Sequence, residues 1–409
     1  NISRRKFIGI SAAAGVAATL SLSGCKKTEV TSLDYDAQAI VVGSGFGGAV
    51  AALRLCEGGV KTIMLEMGKQ YTVSPNSNVF ANMLSPDGRA CWLKTKTIAP
   101  VVSFQFDIPK YVGVLDRVDF PSTYMRIYRG TCLGGGSVVY GAMLPYARPE
   151  FWDEYFPFVP YSEMTNKWYP KVKSVLNFST VPQDILDNEV YRFARVGLKQ
   201  CEKAGMQKVM LNVGVNFDTI EGEINGTKKK SALNTELLYG ANNGYKNSLD
   251  RNYIPAASAT GNLTIKTLHK VDYVRHLPND GYELTVHEIN EQGDTIAIKK
   301  FTCKHLFVNA GVVGTMQILL KSKYMGGLAN LNDEVGKHWG NNGNIMAMRT
   351  NITEDTGAKQ CIVPVSAYGN LDNPIAPLLA EQTPFPIGME LKQLLTLAIT
   401  KNPERGYFK

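Results

Sequence analysis

Residues 37–66 read AQAIVVGSGFGGAVAALRLCEGGVKTIMLE, and this stretch decides the fold. Ala37 to Val42 is a short apolar run that stops at Gly43, and Gly43, Gly45 and Gly48 fit the spacing G-x-G-x-x-G. Ala49 to Leu55 is helix-compatible, and Val60 to Leu65 is a second apolar run ending at Glu66. Strand, glycine turn, helix and strand in that order are the βαβ context in which the glycine pattern becomes a dinucleotide signature. The first glycine permits the tight turn, the second lets backbone approach a pyrophosphate, and the third lets helix and strand pack closely. The phosphates then lie at the helix N-terminus, where unpaired N–H groups point. Glu66, 23 residues after Gly43, stands where an acid accepts ribose hydroxyls and would repel a 2′-phosphate. Phe46 sits inside the turn and joins the candidate cofactor-facing set.

The motif alone does not separate NAD from FAD. A second glycine cluster does: Arg129-Gly130-Thr131-Cys132-Leu133-Gly134-Gly135-Gly136-Ser137, followed by Tyr140, Gly141 and Met143. Such a run offers bare backbone to a flat ring or a phosphate, and a simple NAD domain has no need of it. A third element, His305 to Val308 closing on Asn309-Ala310-Gly311, reads as a strand ending in a small-residue turn, which makes Gly311 a further cofactor candidate. Alternation around Leu263 to Val271 and from Tyr282 to Ile289 predicts further strands. Residues 151–170 hold Phe151, Trp152, Tyr155, Phe156, Phe158, Tyr161, Trp168 and Tyr169. They read either as core or as the lining of an apolar pocket. Residues 220–250, rich in Gly, Asn and Lys, read as loops.

Composition narrows the function classes. The 409 residues suit two domains, and 44% hydrophobic against 20% charged residues suits buried cores. Of the net charge of +8, five positives (Arg4, Arg5, Lys6, Lys26, Lys27) fall in residues 1–27 with no acid. The remaining +3, with no basic stripe interleaved with aromatics, argues against nucleic acid as a partner. The seven cysteines lie far apart without C-x-x-C or Cys/His spacing, so neither a disulfide framework nor a metal site is expected.

The N-terminus reads as an address. Ser3-Arg4-Arg5-Lys6-Phe7, a mildly apolar middle and Leu22-Ser23-Gly24-Cys25 form an export signal over 1–25. The arginine pair resembles a twin-arginine signal, the route for cargo that folds around its cofactor before export, and the Leu-Ser-Gly-Cys end resembles a lipobox. The alternative is an ordinary cleaved signal. A lipidated Cys25, with a tether over 26–33, would place an exported bacterial protein on a membrane surface.

These residues, taken together, resemble the glucose–methanol–choline (GMC) oxidoreductase superfamily, and within it the cholesterol oxidase branch. The likeness runs from about Ala37 to the last residue through VLDRVDF (114–120), the RGTCLGGGSVVYGAM loop (129–143) and LNDEVGKHWGNNGNIM (331–346), then LLAEQTPFPIGMEL (378–391) and LAITKNPERG (397–406). The resemblance implies an α/β fold with a Rossmann-like FAD-binding domain, from 34–70 and 247–337. A second, mixed-sheet steroid-binding domain, from 71–246 and 338–409, would contribute the glycine loop to the flavin. It places FAD contacts on Gly43, Gly45 and Glu66, then Gly136, Gly141, Met143 and Val271, beside Phe46, Gly48 and Gly311 from the motif reading. Tyr140 stands where the family has Asn, so a backbone contact is expected there in place of a side-chain one. Leu379 replaces an aromatic residue two positions before the family's glutamate.

That glutamate matches at Glu381. Oxidising a 3β-hydroxy-5-ene steroid gives a 5-en-3-one with an acidic C4 proton, and a base that moves this proton to C6 conjugates the double bond. A carboxylate among Leu378, Leu379, Pro384 and Phe385 has the raised basicity this asks for. The five histidines match no catalytic position, and the family's catalytic His and Asn fall beyond Lys409. This stretch alone is therefore expected to be inactive. The implied activity is FAD-dependent sterol oxidation with O2 as acceptor, coupled to isomerisation. Two rivals stand beside it: a related FAD alcohol dehydrogenase with another alcohol or acceptor, and a non-catalytic sterol-binding lipoprotein.

Overall fold

The structure is a computed structural model that describes residues 35–83, 85–98, 105–120, 125–278, 280–340, 353–357, 362, 364–369 and 378–381. The expected export signal and tether (1–33) and the LAITKNPERG segment lie outside the described residues. Among the described residues no helix is long and apolar enough to cross a membrane.

The glycine-rich opening folds as its pattern requires. β1 (Ala37–Val42) runs parallel to β2 (Thr62–Leu65), and the helix Phe46–Glu57 joins them. Every residue of β2 is buried, as befits a strand covered on both faces. The sheet extends to six strands in the order β6-β2-β1-β9-β8-β7, with β6 (Leu263–Lys266), β7 (His269–Leu277), β8 (Gly281–Ile289) and β9 (Thr295–Val308). β6, β2, β1 and β9 are mutually parallel, while β7, β8 and β9 form an antiparallel meander. Alternation along the strands feeds two cores. Val41 and Met64 pack with Leu53 of the first helix and Ile254 of the helix Tyr253–Ala259. Ile40, Ile63 and Leu65 pack with Val274, Leu284 and Ile318, the last from the helix Gly311–Tyr324.

Much of the chain between β2 and the helix Tyr253–Ala259, together with two strands that follow the large sheet in sequence, forms the second region. The hairpin β3 (Leu115–Phe120) and β4 (Met125–Gly130) carries the VLDRVDF segment and runs directly into the glycine loop. A three-stranded antiparallel sheet, ordered β11-β10-β5, is built from β5 (Gln207–Met210), β10 (Val365–Gly369) and β11 (Leu378–Glu381). Its core joins Leu198, Leu211, Val213, Tyr245, Val365 and Ala367.

One sequence expectation meets a different outcome, and a second holds with an addition. The 151–170 segment is neither fully buried nor a closed pocket: Tyr155 is 67% exposed and Phe158 51%, and the aromatics stack on one another at the surface. The 220–250 stretch is loop over most of its length, as read from the sequence, but much of that loop is buried. It holds the end of the helix Phe217–Ile224, whose Asn216 cap accepts from Thr219 N at 2.9 Å, and then buries Tyr239, Ala241, Tyr245 and Lys246. Asn242, Asn243 and Lys246 serve there as buried hydrogen-bond partners, while Lys228, Lys229 and Lys230 are exposed.

Candidate functional site

At the C-terminal ends of β1 and β2 the sheet opens into a cleft of about 1120 Å³, the position where α/β sheets hold ligands. Gly43 makes the turn out of β1 with φ +91°, and a Cβ on Gly48 would meet Gly43 O at 1.9 Å. Gly48 thus brings helix against strand and does not line the cleft, the packing role its place in the motif assigns. Gly45 faces the cleft, with nothing within 4 Å of where a side chain would begin.

Two glycine loops meet here. Ser44 Oγ donates to Glu66 Oε2 at 2.6 Å and accepts from Gly134 N at 3.0 Å, so one hydroxyl ties the first turn to the second. Ser44 N also donates to Glu66 Oε2 at 3.0 Å, and Gly68 N to Oε1 at 2.8 Å. Glu66 is buried, and desolvation pushes its carboxyl above the ordinary range while these donors pull the other way. Besides facing the cleft, it therefore pins the first glycine turn to the end of β2.

Of the sequence-predicted residues, Gly43, Gly45, Phe46, Glu66, Gly136, Val271 and Gly311 line this one cleft. Tyr140, Gly141 and Met143 do not. The Tyr140 ring packs edge-on against Phe46 at 5.6 Å, and Tyr140 and Met143 both pack on the core of the second region. The Tyr140 hydroxyl is buried without a hydrogen-bond partner among the described residues. Glu381 closes β11, half-buried, and does not line the cleft either. Burial alone pushes its carboxyl upward.

The sequence reading missed Ser44, Arg129 and Asn309. Arg129 opens the glycine loop, faces the cleft and pairs with buried Asp116 at 2.8 Å. Asn309 follows β9, and its carbonyl would lie 2.5 Å from a Cβ on Gly43. Ser44 and Arg129 are polar residues beside glycines and Asn309 stands two before one, and a spacing rule written for the glycines passes over them. Arg126, Arg129, Lys270 and Lys321 face the cleft against Glu66 and Asp272, and Lys321 already holds Asp272 at 2.5 Å. Arg126 and Arg129 are themselves held by Asp119 at 3.7 Å and by Asp116, and their guanidinium groups remain on the cleft wall, where a diphosphate can share them.

The residues fit a dinucleotide. Gly45, Gly136 and Gly311 line the same cleft, and each has open space where a side chain would stand. Backbone is left bare on three sides for a ligand to lie against.

Comparison with known proteins agrees. A family model described as GMC oxidoreductase, C-terminal, matches residues 342–409. A cholesterol oxidase of Acinetobacter baumannii is 25% identical over 333 residues, covering 75% of this chain and 54% of its own length. A cholesterol oxidase of Mycobacterium tuberculosis is 24% identical over 335 residues, covering 74% and 50%. The chain is thus similar to cholesterol oxidases and, over residues 342–409, to the GMC oxidoreductases. It spans about half the length of the curated relatives it matches. Among solved structures, pyridoxine 4-oxidase from Mesorbium loti overlaps 68% of this chain and 50% of its own, at 13% identity and a TM-score of 0.40. GMC oxidoreductases use FAD, and the cleft of this chain would hold it with Gly43, Gly45, Glu66, Gly136 and Arg129.

Proposed function

We propose that the chain forms the cofactor- and substrate-binding body of an FAD-dependent 3β-hydroxysteroid oxidase that also shifts the Δ5 double bond to Δ4. The observation that carries this reading is Glu381: a half-buried carboxyl on the small sheet, made more basic by burial, with no opposing charge acting on it among the described residues. FAD, when bound, supplies the two-electron acceptor for the carbinol hydrogen, and O2 takes the electrons to give peroxide. The chain's residues then have separate tasks. The glycine loops and Glu66 fix the cofactor, Arg129 offsets its negative charge, and Glu381 removes the C4 proton of the 5-en-3-one and returns it at C6. That second step is redox-neutral and needs only a base that holds one proton out of bulk water. Lipidation at Cys25 would keep the enzyme, exported by its bacterial cell, on the membrane in which sterols dissolve.

A related FAD alcohol dehydrogenase is the second reading. What favours it is Tyr140, whose ring lies against Phe46 and fills space beside the cofactor cleft that an Asn would leave open.

The test follows both products of the FAD-loaded full-length protein. A 3β-hydroxy-5-ene steroid is expected to give peroxide and a conjugated enone. With Glu381→Gln the ratio of enone to peroxide should fall by about 100-fold or more, in the range that general-base removal costs. Equal turnover of simple alcohols, or dye reduction without peroxide, would favour the second reading.

A further inference from the structure

The register of the small sheet places a hydroxyl beside the acid. Glu381 on β11 pairs with Ser366 on β10, and Ser366 pairs with Val209 on β5. Directly opposed residues of antiparallel strands project from the same face, with Cβ atoms about 4.5–5.5 Å apart. Leu379, Tyr368 and Gln207 form the next row on that face. Ser366 is wholly buried, and its hydroxyl has no hydrogen-bond partner among the described residues. Folded chains seldom leave a buried hydroxyl unpaired, and each such group calls for an explanation. The nearest acceptor that the register offers is the Glu381 carboxylate, on which no donor acts among the described residues.

We propose that Ser366 is the positioning residue for Glu381, its hydroxyl donating to one carboxylate oxygen directly or through one water. This rests on the reading of Glu381 as the isomerisation base. One oxygen accepts from Ser366, which fixes the carboxylate plane. The other takes the proton from C4 and gives it back at C6, so no proton is gained or lost by the pair. A hydrogen bond to the charged form favours that form, and Ser366 therefore opposes the effect of burial on the base.

Other groups around this face, among the described residues, have the following places. Tyr368 lies on the same face, with the Arg148 guanidinium 5.7 Å from its ring centre, and Arg148 pairs with Glu150 at 3.4 Å. Tyr161 is close enough to sense both Tyr368 and Glu150. On β5, Lys208 stands opposite Ala367, on the other face. The helix Arg192–Lys203 packs against β10, and its Arg192, Arg195 and Lys199 are engaged by Glu189, Asp355 and Glu354. None of these shifts the Glu381 carboxyl, on which burial acts alone.

The experiment supplies a 5-en-3-one steroid, bypassing oxidation, to the FAD-loaded full-length protein and records the isomerisation rate against pH. Ser366→Ala is expected to move the acid limb of kcat upward by about one pH unit, a tenfold loss of rate on its acid side. Ser366→Thr, which keeps the hydroxyl, should restore the limb, and Ser366→Cys, a weak donor, should give a smaller shift in the same direction. An unmoved limb in Ser366→Ala, with at most a change in melting temperature, would overturn the proposal and leave Ser366 a packing residue. Wild-type isomerisation by Glu381→Gln would overturn the base reading and this proposal with it. Loss of isomerisation in Glu381→Gln with an unmoved limb in Ser366→Ala would overturn this proposal alone.

Discussion

Gly45 and Gly135 stand back to back: a Cβ on Gly135 would lie 2.8 Å from Gly45 Cα. The loop that leaves β1 and the loop that leaves β4 thus touch through bare backbone. The Ser44 hydroxyl, bonded to Gly134 N, holds the contact closed.

Gly135→Ala should separate the two loops. Its φ of +56° already strains any side chain, and the clash is with backbone that has nowhere to go. FAD affinity is expected to fall by about tenfold or more, matching a strain of about 1–3 kcal/mol. Flavin retained per chain after gel filtration measures it, and full retention would count against the loop contact.

Gly45 and Gly48 should fail in different ways. A methyl on Gly48 meets Gly43 O at 1.9 Å, so Gly48→Ala is expected to destabilise the fold by about 2 kcal/mol or more, read from urea melts of the apoprotein. Gly45→Ala meets nothing in the protein. It should leave the apoprotein's midpoint unchanged while weakening FAD, because the methyl enters the cleft.

Lys246 supports the glycine loop from behind. It is 2% exposed and donates to the carbonyls of Val138 (2.8 Å), Leu237 (2.8 Å) and Tyr140 (3.0 Å). Lys246→Met strips three carbonyls of a charged donor at once, and a loss of about 3 kcal/mol is expected from denaturant melts. A loss below about 1 kcal/mol would mean that water takes over these carbonyls.

Glu381 predicts a pH dependence of stability. Burial raises its folded pKa above the unfolded value of about 4.3. A raised acid contributes stability below the unfolded pKa and loses it as pH rises through the folded pKa. Glu381→Gln removes that loss, so its melting temperature relative to wild type should be more favourable near pH 7 than near pH 4. A difference that does not change with pH would place the carboxyl in water.

Much of the cofactor half was legible in the sequence because glycines report backbone geometry directly. The turn at Gly43, the acid at Glu66 and the open backbone at Gly136 and Gly311 follow from residue type and spacing, and seven predicted residues meet in one cleft. The strand read at 305–308 is the end of a longer one, Thr295–Val308. Its first half is an exposed hairpin arm, on which Ile296 and Ile298 alternate but face solvent and are followed by Lys299 and Lys300. The run Leu263 to Val271 is two strands, broken where Leu268 takes φ +59°, a conformation that a leucine does not announce. Least visible was the sheet that carries Glu381. Its pairing with Ser366 is a matter of register between strands, and register leaves no mark in either strand's own sequence.

The placement of β6 next to β2 has a consequence for synthesis. Roughly 200 residues separate these neighbours, and at about 5–20 residues per second a ribosome needs about 10–40 seconds to supply the second after the first. Throughout that interval the outer edge of β2, with Ile63 and Leu65 on it, has no strand beside it. A nascent chain of this design is a natural client for a chaperone that shields one hydrophobic edge until its late partner emerges.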